Sequence, residues 1–237
     1  MQRPRLNAKA AATRFKWAKE HLEWTVDMWR KIGWSDECSI EKSKDPRTVW
    51  IFCSQNAADK YLPKNVVAKD KAHGVSLMVW ACFIDYHLSP LVALRGIQNA
   101  EAYNTLLKDN LLPFIQNLPP RRCTNFIFQQ DNAPIHTARV NKAWLAEQSF
   151  ITMEWSPNSL DMNPIEHLWY CLKEGLHKRY PDTATIPGGP DHVKQVLEER
   201  LNDVWSNISR SKLESLVRSM PARVAALHAA KGWYTRF

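Results

Sequence analysis

The chain has 237 residues, 45% of them hydrophobic and 24% charged, which is enough for one large domain or two small ones with a substantial core. Its net charge of +8 and pI of about 9.3 suit a polyanionic partner, nucleic acid first. No run of about 18 apolar residues argues for a membrane span, and the five scattered cysteines form neither a C-x-x-C zinc pair nor a disulfide framework.

The N-terminal stretch is basic but has no apolar signal core, so an intracellular protein is expected. A mitochondrial presequence fits poorly, because Glu20 and Glu23 follow closely. Leu6, Ala10, Trp17, Ala18 and Leu22 are loosely in helical phase, predicting a helix over 6–24. Strands are predicted at 30–38, at 47–53 (RTVWIFC) and at 74–86 (GVSLMVWACFIDY), with 91–95 extending the sheet. The polar stretch 54–73 carries Lys60, Lys64, Lys69 and Lys71. Asn99 reads as the N-cap of a helix whose apolar residues run from Tyr103 to Phe114, with Pro113 kinking or ending it. A strand at 124–130, a helix at 136–148, a strand at 150–155 and a helix at 164–179 follow. The turn-rich segment 181–190 leads to two closing helices, about 191–208 and 211–230.

Three strands followed by alternating helices and strands give an α/β fold, a mixed sheet with helices on its faces, in the order of ribonuclease-H-like domains. The expected division is a basic linker helix at 1–29, a core at 30–180 and a helical extension at 181–237.

Three carboxylates stand out. Asp36 ends the first predicted strand, Asp131 ends the strand at 124–130, and Glu166 opens the helix at 164–179. In this strand order the two aspartates can share a sheet edge, and the helix can bring Glu166 across it. Three converging acids repel one another unless a divalent cation neutralises them, and hard oxygen ligands suit Mg²⁺ or Mn²⁺. Two such ions about 4 Å apart can drive phosphodiester chemistry. Each acid also has a structural reading: a solvated turn for Asp36, an Asx-turn for Asp131, and for Glu166 a capping box with Asn163 as N-cap and Pro164 as the first helical residue.

The blocks QQDNAPIHTA (129–138) and WSPNSLDMNPIEHLW (155–169) resemble two motif blocks of the Tc/mariner superfamily of cut-and-paste DNA transposases. WTVDMWRKIGWSDE (24–37), GVSLMVWACF (74–83) and the ending AAKGWYTRF resemble further blocks, in the right order over nearly the whole chain. The 34 residues between Asp131 and Glu166, with a final Glu, resemble the Tc branch. The resemblance implies that Asp36, Asp131 and Glu166 are the metal-binding DDE triad, working with two Mg²⁺ or Mn²⁺ ions. It implies cleavage of double-stranded DNA at transposon ends, then strand transfer into a TA target, by a homodimer assembled on DNA in the nucleus of a eukaryotic host. Asn132, His136, Asn163 and Pro164 match the same blocks and are candidates for orienting ligands or contacting phosphate. By position, 41–73 resembles the family's clamp loop, and its four lysines are candidate DNA contacts.

Departures from the family pattern are Leu160 in place of the Pro of S-P-D, Trp233 in place of a Gly, and a less glycine-rich stretch at 72–74. None touches the triad. The N-terminal helix-turn-helix pair of the family has no counterpart here, so a remnant that only binds DNA or dimerises is the alternative expectation. A ribonuclease-H-like nuclease for RNA–DNA hybrids is a third.

Overall fold

The computed structural model describes residues 6–42 and 75–237. The strand expected at 47–53, the clamp-like loop 41–73 beyond Lys42, and Lys60, Lys64, Lys69 and Lys71 lie outside the described residues.

Helices α1 (Ala8–His21) and α2 (Val26–Trp29) lead into strand β1 (Ile32–Glu41). β2 (Ser76–Ile84), β3 (His87–Leu88) and β4 (Val92–Leu94) follow. α3 (Ala100–Leu106) runs through a π-turn, Leu107–Leu111, into α4 (Leu112–Gln116), and α5 (Pro120–Cys123) is a single turn. β5 (Ile127–Gln129), α6 (Arg139–Ala146), β6 (Ile151–Thr152) and α7 (Ile165–Arg179) complete the alternating part. α8 (Pro190–Ser206), α9 (Arg210–Arg218) and α10 (Met220–Ala229) close the chain. Among the described residues no helix is long and apolar enough to cross a membrane.

The sheet order is β3-β2-β1-β5-β6, with β4 also pairing β2. β1 and β2 are antiparallel, whereas β1–β5 and β5–β6 are parallel. This is the expected mixed sheet. Both faces are covered, which explains why β2 reads as an unbroken apolar run. Leu77, Val79, Ala81 and Phe83 belong to the core cluster shared with α7, α8 and α10, while Trp80, Cys82 and Ile84 belong to the one shared with α3 and α4. The same alternation puts Ile32, Trp34, Cys38 and Ile40 of β1 in the first cluster. Asp36 falls in phase with them. Gly33 falls on the other face, where a Cβ would lie 2.2 Å from Phe126 Cζ, so glycine is required there for packing.

α1 docks through tryptophan. Trp17 meets Trp155 edge-on at 5.1 Å, its indole N–H donates to the Glu154 carbonyl at 2.9 Å, and Trp34 lies 5.9 Å from Trp155. Each such aromatic pair adds about 0.5–1.5 kcal/mol beyond its buried area.

Several sequence expectations change. Asp36 sits in the middle of β1 rather than at its end, because β1 continues to Glu41 through its antiparallel pairing with β2. The strands expected at 124–130 and 150–155 shorten to three and two residues, since pairing stops where the chain turns toward the cleft. The helix expected from 136 starts at Arg139, and the helix expected at 211–230 divides around Ser219, just ahead of Pro221. Pro113 does not end its helix. The π-turn before it widens the coil where Pro113 has no N–H to give and its ring would crowd the preceding turn.

Candidate active site

The two aspartates are set by strand register. β1 and β5 pair in parallel, Ile32 with Ile127, Gly33 with Phe128 and Trp34 with Gln129. Asp36 and Asp131 each lie two residues beyond that last rung, so continuing the register puts them opposite one another. Side chains carry the pairing one step further: Ser35 Oγ donates to the Gln129 carbonyl at 2.7 Å, and the Ser35 N–H reaches Gln129 Oε1 at 3.4 Å. Both aspartates line one cleft of about 380 Å³, together with Asn132, Asn163 and the 155–160 loop. Glu166 lines a neighbouring pocket that shares the Leu160 wall.

Asp36 is crowded by charge. Burial, then the carboxylates of Glu37, Glu166 and Asp131, raise its pKa well above the usual range, against the Glu37 N–H that donates to its Oδ1 at 2.8 Å. Glu166 is likewise raised by burial, with Lys173 opposing. Asp131 behaves differently. Burial pushes it up, but the His136 and Ala133 hydrogen bonds and the His136 charge leave it below its ordinary value.

The Asp131 turn is built locally. Oδ1 accepts the Ala133 N–H at 2.8 Å, the Asx-turn that the sequence allowed, and it also meets His136 Nδ1 at 2.6 Å. His136, 2% exposed, lies between Asp131 and Glu37, with Nε2 3.3 Å from Glu37 Oε1 and its ring 4.1 Å from that of Tyr103. Burial lowers its pKa, but the two acids outweigh that and raise it to about 9, so it is charged at neutral pH. Asn132 ties the turn to the next loop, its amide donating to the Trp155 carbonyl at 2.8 Å.

Asn163 and Pro164 are both buried at the start of α7. The capping box is not formed. The Asn163 N–H goes to the Leu160 carbonyl rather than to the Glu166 side chain, and only the N-cap half of the arrangement is kept. Asn163 Nδ2 instead points to Asp36 Oδ2 at 3.3 Å, while its Oδ1 accepts the Ile165 N–H at 3.4 Å. The carboxylate of Glu166 is thereby left uncommitted to the backbone of its own helix start.

In this conformation no three His, Cys, Asp or Glu side chains among the described residues stand close enough to hold an ion. The donor chemistry nevertheless fits a divalent cation: all-oxygen ligands, two of them with raised pKa, in one region of the sheet edge.

Sequence reasoning missed two groups. Glu37 alternates with Asp36 onto the opposite sheet face, where His136 meets it. An acid in a strand covered on both faces signals such a partner. Asp161 and Arg14 form a buried ion pair at 2.7 Å, and an arginine four residues from Ala10 and Ala18 on the apolar face of a helix was its signal.

No family model matches the chain. The Tc1 transposase of Caenorhabditis elegans is 30% identical over the whole chain and 81% of its own length, and the Tcb1 transposase of Caenorhabditis briggsae is 30% identical with the same coverage. Among solved structures, the catalytic domain of Mos1 mariner transposase matches over the full length of both chains with a TM-score of 0.66 at 18% identity. The Mos1 paired-end complex with Mg matches at a TM-score of 0.77 and 19% identity, over all of this chain and 66% of that one. These structural matches agree with the ribonuclease-H-like sheet described above. The whole-chain likeness to Tc1, on top of that fold, shows that this chain belongs to the Tc/mariner superfamily of DDE transposases.

Proposed function

We propose that this chain is a transposase catalytic domain in which Asp36, Asp131 and Glu166 hold divalent cations for DNA strand cleavage and strand transfer. The observation that carries the reading is the β1–β5 register, whose last rung lies two residues before both Asp36 and Asp131, together with the one cleft that both acids line. The Mos1 catalytic domain has been solved with Mg and with Mn, which supports Mg²⁺ or Mn²⁺ here. Two bound ions supply Lewis acidity and an activated water or 3′-hydroxyl for phosphodiester chemistry.

The chain's own residues prepare that chemistry. Burial, and for Asp36 also the neighbouring carboxylates, makes Asp36 and Glu166 poor anions alone and good ligands for a cation. His136 and the Ala133 N–H both take Asp131 Oδ1, which leaves Oδ2 for a ligand. Asn163 orients Asp36, and Asn132 fixes the turn that carries Asp131. Pro164 starts α7 so that Glu166 lies in its first turn.

The substrate is double-stranded DNA: transposon ends, then a TA target. Mos1 transposase has been solved in a paired-end complex with a transposon end, which supports DNA as the partner; the working assembly in this reading is a homodimer formed on that DNA. Lys60, Lys64, Lys69 and Lys71 within a clamp-like 41–73 segment are proposed to contact phosphates, consistent with the net charge of +8. Residues 30–180 are the catalytic core in this reading, with 1–29 leading in and 181–237 as a helical extension. In a eukaryotic host this work is done in the nucleus. The whole-chain match to Tc1 does not favour a remnant that only binds DNA.

The test is nicking of supercoiled plasmid with Mg²⁺ or Mn²⁺ by the parent chain and by Asp131→Ala prepared identically. Metal-dependent nicking that disappears in the variant is expected. Equal nicking by both proteins would end the catalytic assignment.

A further inference from the structure

Asp161 joins three distant parts of the chain just ahead of the proposed third acid. Arg14 Nη2 of α1 donates to Asp161 Oδ1 at 2.9 Å and to Oδ2 at 2.7 Å. Thr235, in the C-terminal tail, donates its N–H at 3.1 Å and its hydroxyl at 3.0 Å to the same Oδ2. Arg223 of α10 donates to the Asp161 carbonyl at 2.8 Å.

The remaining donors of Arg14 tighten the same knot. Nη1 reaches Ser159 Oγ at 2.8 Å and the Asn158 carbonyl at 2.7 Å, and Nε reaches the Gly232 carbonyl at 2.8 Å. Gly232 has φ of 82°, and a Cβ there would lie 1.9 Å from the Ala11 carbonyl oxygen. The tail therefore lies directly on the α1 backbone, where only glycine fits.

Asp161 sits in the short 3₁₀ turn Leu160–Met162. The next residue along, Asn163, contacts Asp36, and three residues further Glu166 stands in the first turn of α7. We propose that Arg14 and Thr235, acting through Asp161, are positioning residues that set this turn, and with it the placement of Asn163 and Glu166 against Asp36. The inference rests on the triad reading above.

A structural staple alone does not account for the arrangement. A buried ion pair is a poor source of net stability compared with apolar packing of the same volume. What it does supply is direction: the rigid planar guanidinium, with Nη2 on both Asp161 oxygens, Nη1 on Ser159 and Asn158 and Nε on Gly232, fixes the angle as well as the distance of the carboxylate. Here that angle is fixed at the turn from which the first and third acids are both reached.

The test uses the full chain and Mn²⁺ alone as probe, with affinity measured by titration calorimetry beside thermal melting. Arg14→Lys keeps the charge but cannot span Asp161, Ser159, Asn158 and Gly232 at once, Thr235→Val removes one hydroxyl bond, and Thr235→Ser keeps it. Arg14→Lys and Thr235→Val are expected to bind Mn²⁺ about tenfold more weakly, the scale seen when partners of metal ligands are removed. Thr235→Ser is expected to match the parent. Parent-like affinity in both weakened variants, even with lowered melting temperatures, would reduce the network to a staple and overturn the inference. If Arg14→Lys does not fold, the Thr235→Val and Thr235→Ser pair decides in the same way. A parent chain that binds no Mn²⁺ would overturn the triad reading and this inference with it.

Discussion

Replacing Asp161 by alanine perturbs the most deeply buried charge pair near the site. The side chains of Arg14 and Asp161 are 0% and 1% exposed. The substitution leaves the guanidinium buried without its counter-ion, and breaking a buried pair in this way costs about 3–5 kcal/mol. Thr235 loses the acceptor for its N–H and hydroxyl, which adds about 1 kcal/mol. In a domain of this size each kcal/mol moves the melting temperature by roughly 2–4 °C, so the expected drop is roughly 8–24 °C. Melting followed by circular dichroism in metal-free buffer reads it directly. Arg14→Met combined with Asp161→Leu should recover most of the loss, because neither charge then remains to be buried. A single variant melting within about 2 °C of the parent would refute the reasoning, since less than ~1 kcal/mol would then be at stake.

Three other outcomes follow from the same geometry. The pKa of Asp36 is raised in the fold, so the folded chain holds that proton more tightly than the unfolded chain, and ionising Asp36 costs stability as pH rises from its unfolded value through its folded one. Asp36→Asn should therefore raise the metal-free melting temperature at pH 7 more than at pH 4 and abolish stabilisation by Mn²⁺; a variant less stable than the parent at pH 7 would contradict this. Gly33→Ala puts a methyl 2.2 Å from Phe126 Cζ and should cost about 1–3 kcal/mol in chemical denaturation, with partial rescue by Phe126→Leu; unchanged stability would show that the ring moves freely. Affinity for duplex DNA, measured by fluorescence anisotropy, should fall steeply with salt because phosphate contacts release counterions, and a flat response would argue against phosphate-dominated binding.

Much of this architecture is legible in the sequence because it follows from periodicity. The apolar run of β2 and the face of α7 carrying Ile165, Leu168, Trp169, Leu172 and Leu176 are where the pattern puts them. The parallel neighbours β1 and β5 follow from strand order. Strand ends are not legible, because they depend on partners. β1 runs past Asp36 only because β2 pairs with it as far as Ser76. The division between α9 and α10 was announced by Pro221 but hidden by continuous helical phase on either side.

At the site, the motif blocks point to Asp36, Asp131 and Glu166 by spacing. The residues that orient them are set by three-dimensional neighbours. His136 is placed by its own turn, but Glu37 reaches it only because alternate residues of β1 face opposite layers. Arg14 and Thr235 lie 147 and 74 positions from Asp161, and no local pattern connects them.

The most direct measurement is anomalous diffraction from crystals of the full chain soaked in Mn²⁺. Manganese held by carboxylate oxygens of Asp36, Asp131 and Glu166 is the expected result, with Asp131 and Glu166 drawn in toward Asp36. Manganese bound elsewhere, with those three acids left as they stand in the metal-free chain, would contradict it.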